Sequence, residues 1–104
     1  MTTVTFFRKG ESFLGFRASG HSGQAPSGED IVCSAVSTAV GFAECEITDV
    51  LKLDAEVVID DKKAEVSVVF PDICEASQPV FSTLFIYLSR LSEEYPKYLK
   101  IVEV

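Results

Sequence analysis

Histidine is nearly absent from this chain: His21 is the one such residue in 104, and cysteine occurs three times. No CxxC pair occurs, and His and Cys at ligand spacing are too few for a zinc site, so neither metal nor cofactor is expected. An odd cysteine count in a chain with a viable core does not make a disulfide framework. Basic residues are also short, nine Lys and Arg against sixteen Asp and Glu, for a net charge of -7. That balance argues against nucleic acid, whose phosphates need a basic face. It suits a basic partner, and it is equally ordinary for a soluble cytosolic protein. The start, Met1 to Arg8, alternates like a strand and lacks the basic and apolar regions of a signal peptide. No segment reads as the ~20 apolar residues of a membrane span. Without repeats, low-complexity tracts or a linker, residues 1–104 read as one domain, expected in the reducing cytoplasm.

What the chain does contain is apolar periodicity. Hydrophobic residues make up 47%, with eight Phe, ample for a core. Residues 2–8 and 12–19 alternate as strands around Arg8–Glu11, where Gly10 supplies the turn. Val4 and Phe6 share one face, with Thr3, Thr5 and Phe7 on the other. Residues 19–29, with three glycines and a proline, read as a mobile loop. A helix follows over about Asp30 to Val50, with Ile31, Ala35, Thr38, Phe42 and Cys45 as its buried stripe. Ser27 with Asp30 resembles a capping box, but Asp30 is the preferred N-cap because Gly28 is a poor helix former. Residues 54–60 and 64–70 form a second hairpin across Asp60–Lys63, and Val66, Val68 and Phe70 share a face. A second helix spans about Gln78 to Glu94, capped by Ser77, with Pro79 in its first turn and Pro96 beyond its end. Tyr98 to Val104 reads as a last strand. The order β-β-α-β-β-α(-β) implies an α+β two-layer sandwich on a mainly antiparallel sheet.

Most chemistry-bearing residues fall between positions 20 and 37. With Asp30 as cap, Cys33 is the third helical residue, where the dipole and free N–H groups favour a thiolate. His21 lies among glycines with no apolar pattern to bury it, and so is available as a base. Asp30 either caps the helix or orients the His21 ring. Ser37, one turn beyond Cys33, either donates to the site or bonds back to its own helix. Cys45 and Cys74 take the structural reading of a small buried hydrophobe.

Gly20-His21, Gly28, Asp30-Ile31-Val32-Cys33 and Val36-Ser37 resemble the motif of the ribosomal-processing cysteine protease family (Prp), with its twelve-residue histidine-to-cysteine interval. The resemblance covers the whole chain. Ser22 and Ser34 stand where the family often has alanine, and Cys74 is peculiar to this chain. The resemblance implies a homodimeric peptidase with Cys33 as nucleophile and His21 as general base and acid. Gly20, Asp30 and Ser37 fall on its supporting positions. It further implies removal of the short N-terminal extension of large-subunit ribosomal protein L twenty-seven, cut at an aromatic-rich site. Those aromatics call for an apolar groove lined by some of the phenylalanines. Two other readings remain at this stage: a non-catalytic module that binds a ribosomal protein or assembly factor, and a thiol-based redox or metal protein.

Overall fold

The computed structural model describes residues 1–20 and 27–104, leaving aside the side chains of residues 27–30. The chain runs β1 (Thr2–Lys9), β2 (Ser12–Ser19), α1 (Ser27–Cys45) with a π-helical turn (Glu46–Val50), β3 (Glu56–Asp60) and β4 (Glu65–Val69). A short 3-10 turn (Glu75–Ser77), α2 (Gln78–Glu94) and β5 (Leu99–Glu103) complete it. The five strands form one sheet in the order β3-β4-β2-β1-β5. All pairs are antiparallel except β1–β5, which is parallel because α2 carries the chain back across the sheet. The expected α+β sandwich is therefore present, on a mixed sheet.

Gly10 makes the β1–β2 turn with φ +64, a conformation that glycine adopts without steric cost. The second hairpin turns one residue later than expected, over Asp61–Ala64. There Asp60 Oδ1 accepts from the backbone N–H groups of Lys62 and Lys63 at 3.0 and 3.1 Å, the local bonding that makes aspartate a turn former.

One core joins the sheet to both helices. Val4, Phe6, Phe16, Val68 and Phe70 rise from the sheet to meet Val80, Phe81, Leu84 and Leu88 of α2. Phe6 meets Phe85 edge-on, ring centroids 5.1 Å apart at 88°, and Phe81 meets Phe16 and Phe70 in T-shaped pairs, each at 6.1 Å. The phenylalanines are thus largely spent on the core rather than on a groove. Phe7, on the other face of β1, and Phe42, 75% exposed, lie outside that core.

The buried face of α1 departs from the expected one. Val32, Val36, Val40, Ala43 and Ile47 are buried, while Ile31 is 61% exposed and Phe42, Thr38 and Cys45 face outward. Both sets recur at steps of three and four, so periodicity alone could not choose between them. The β-branched set packs on the sheet. Ile31–Val50, 20 residues long, also reaches a mean hydropathy of 1.4 over an 18-residue window, long and apolar enough to cross a membrane by length and composition alone. The sequence reading missed this stretch, whose valine face lies in the core.

Ser77 stands at the N-terminus of α2 but caps nothing: its hydroxyl donates to the Cys74 carbonyl at 2.7 Å. Gln78 instead ties the helix to the sheet. Its Oε1 accepts from the Phe13 N–H and its Nε2 donates to the Phe13 carbonyl, both at 2.8 Å, as a neighbouring strand would. Gln78→Ala should leave those two backbone groups unpaired and lower stability by about 1–3 kcal/mol, read as a reduced urea midpoint.

Candidate active site

Three elements converge on a cleft of about 590 Å³ between α1 and the β3–β4 hairpin. Thr2 opens β1, Gly20 follows β2, and Cys33 and Ser37 project from α1; all four line the cleft. The hairpin register creates this meeting, because Thr3 pairs with Ser19 and so sets Thr2 beside Gly20. Glu44, Asp60, Asp61 and Glu65 line the same cleft, and Glu65 pairs across the sheet with Ser19, one residue before Gly20.

Cys33 is half-buried, on the flank of the valine stripe. Its Sγ lies 3.4 Å from the Thr2 hydroxyl, within hydrogen-bonding range for sulfur. That hydroxyl donates to the Gly20 carbonyl at 3.0 Å. Gly20 has φ +86, and a Cβ there would sit 2.8 Å from the Met1 carbonyl oxygen, so the position is closed to side chains on both counts. Ser37 is exposed one turn along from Cys33.

The expected helix start is displaced. α1 begins at Ser27, nearer to the capping-box alternative, so Asp30 is its fourth residue and cannot be the N-cap. Ser27 to Glu29, expected in the loop, are helical. Cys33 becomes the seventh residue, in the second turn, whereas the dipole effect fades within the first. The argument that free N–H groups surround its sulfur is correspondingly weakened. His21, the body of the expected mobile loop and the Asp30 side chain lie outside the described residues. The structure thus joins Cys33, Gly20 and Ser37, and adds Thr2, which the motif did not single out. Its signal was modest: period two puts Thr2 on the core-facing side of β1 with Val4 and Phe6, an unusual place for a hydroxyl.

The other thiols differ from Cys33. Cys45 is exposed, not buried as expected, with its thiol 3.6 Å from Asp49 Oδ2. The protein packed around it, the hydrogen bond to Asp49 and the charges of Asp49 and Glu44 all push that thiol pKa up, which opposes the thiolate a nucleophile needs. Cys74 is half-buried and packs against the core.

On this α+β fold a half-buried thiol, Cys33, thus lines a cleft beside the Thr2 hydroxyl. Residues 1–100 match the family model of the cysteine protease Prp, and the chain belongs to that family. No curated protein sequence matches it significantly. The fold is similar to the crystal structure of SMU.848 from Streptococcus mutans, at 22% identity and TM-score 0.84 over 100% of this chain and 99% of that one. It is also similar to the essential ribosomal processing protease Prp from S. aureus. In complex with a covalently linked product peptide, that protein aligns at 20% identity and TM-score 0.85. With a substrate peptide it aligns at 22% and 0.82, and each alignment covers 100% of both chains.

Gly20→Ala should lower stability by about 1–3 kcal/mol, the cost of a strained backbone position, read by urea unfolding.

Proposed function

We propose that this cysteine peptidase removes the short N-terminal extension of large-subunit ribosomal protein L twenty-seven, cutting at an aromatic-rich site, in the cytoplasm where ribosomes mature. The observation that carries the reading is the position of Cys33: it is the motif cysteine, and it lines a cleft of about 590 Å³. The covalently linked product peptide on the S. aureus relative supports chemistry through an acyl-enzyme.

In this mechanism His21 takes the Cys33 S–H proton and the thiolate attacks the scissile carbonyl carbon. Backbone N–H groups of the glycine-rich segment before α1 receive the oxyanion. The tetrahedral intermediate collapses with cleavage of the C–N bond, and His21 returns its proton to the departing amine. Water, deprotonated by His21, then hydrolyses the thioester and regenerates the thiol. The net charge of -7 and the acidic residues lining the cleft suit a basic ribosomal protein. The enzyme acts as a homodimer. We place the contact between copies on the apolar groove along the other side of α1, about 720 Å³, where Phe42 and Tyr87 are exposed.

Incubation with the precursor ribosomal protein, read by intact mass, tests the reading. Wild type should release the extension and Cys33→Ala should not, while His21→Ala should lose about 10²–10⁴-fold in turnover. Cleavage by Cys33→Ala at the wild-type rate overturns the assignment; a stable complex with no cleavage by wild type favours a binding module. Raising salt should slow cleavage through KM, as expected when exposed charges steer the encounter. Phe42→Asp should yield monomers by sedimentation; an unchanged dimer removes that face from the interface.

A further inference from the structure

The Thr2 hydroxyl is a buried polar group that the proposed mechanism leaves without a role. Thr2 is 5% exposed, and its backbone is held against the β5 edge. Its N–H donates to the Tyr98 carbonyl at 2.9 Å, and the residue pairs with Leu99 of β5. The side chain therefore has little freedom, and its oxygen is delivered between two partners, the Gly20 carbonyl at 3.0 Å and Cys33 Sγ at 3.4 Å.

Proton inventory decides how these bonds run. A hydroxyl has one proton to give and lone pairs to accept with, whereas a carbonyl oxygen only accepts. With Cys33 protonated, Thr2 donates to Gly20 and accepts the S–H of Cys33. Once the S–H bond breaks and its proton leaves for the base, the sulfur keeps the electron pair and can only accept. The Thr2 hydroxyl can then turn about its C–O bond and donate to the thiolate, a charge-assisted bond stronger than the one given up. Gly20 is exposed, so its released carbonyl is free to be hydrated.

We propose that Thr2 is a positioning residue of the active site: its hydroxyl holds the Cys33 thiol toward the cleft, then turns its proton to the thiolate. Through Gly20 it also ties the nucleophile to the backbone one residue before His21, coupling the two halves of the dyad. This rests on the reading of Cys33 as nucleophile.

Thr2→Val removes the hydroxyl and keeps the branched shape; Thr2→Ser keeps the hydroxyl and removes the methyl. Two quantities are read on the full chain: kcat and KM with the precursor ribosomal protein, and the rate of Cys33 alkylation by iodoacetamide at neutral pH. Peptide-level mass analysis separates Cys33 from Cys45 and Cys74. Thr2→Val should lower kcat and the alkylation rate about tenfold each with KM nearly unchanged, the loss of one hydrogen bond to a charged group. Thr2→Ser should restore both. Alkylation of Thr2→Val at the wild-type rate overturns the proposal, as does a Thr2→Ser variant as slow as Thr2→Val. If Thr2→Val fails to fold by urea unfolding, Thr2→Ala replaces it as the hydroxyl-free variant with the same expectations. Should Cys33→Ala still cleave, the nucleophile reading falls, while the alkylation comparison continues to judge Thr2.

Discussion

The packing of the α1 valine face on the sheet determines where everything else in the site can be. Successive helical residues are set about 100° apart, so shifting the buried stripe by one position turns every other side chain by that angle. With Val32 and Val36 seated in the core, Cys33 is held at the margin of the buried face, half-covered, and Ser37 looks into the same cleft. The residues of the other stripe, Ile31 and Phe42 among them, are left facing outward. One packing choice thus positions the thiol and exposes an apolar surface on the far side of the same helix.

The sheet supplies the counterpart. β1 lies between β2 and β5, and its first residue is anchored from both sides, by Leu99 in register and by the hairpin pairing of Thr3 with Ser19. A site built on a strand start, a hairpin end and the second turn of a helix inherits the rigidity of the core below it. The closed space at Gly20 belongs to the same arrangement: its backbone passes so near Met1 that no Cβ fits.

The three thiols have different neighbours. The surrounding protein, then Asp49 and Glu44, push the Cys45 thiol pKa up, and Cys74 is packed against apolar neighbours. Cys33 has a hydroxyl as its close partner, able to serve either protonation state. Glu44, Asp60, Asp61 and Glu65 line the cleft that Cys33 shares, which gives it an acidic wall.

Strands, the first turn and the span of α2 were legible along the chain because they depend on local properties: alternation in β1, the glycine of its turn, the prolines flanking α2. The cysteine–histidine motif was legible too, since a family pattern is a linear property. The parallel placement of β5, the rotation of α1 and the start of that helix at Ser27 were not. Ile31-Ala35-Thr38-Phe42 and Val32-Val36-Val40-Ala43 satisfy the same spacing, and the choice between them is made by which side chains the sheet can accommodate. Gln78 and Thr2 went unremarked for a related reason. Each acts on backbone or side-chain atoms brought near by folding, Phe13 for one and Gly20 and Cys33 for the other, and hydrogen bonds across such separations leave no trace in periodicity. Composition, local pattern and motif thus named the family and its motif cysteine, whereas the hydroxyl beside that cysteine came into view only where three distant segments pack together.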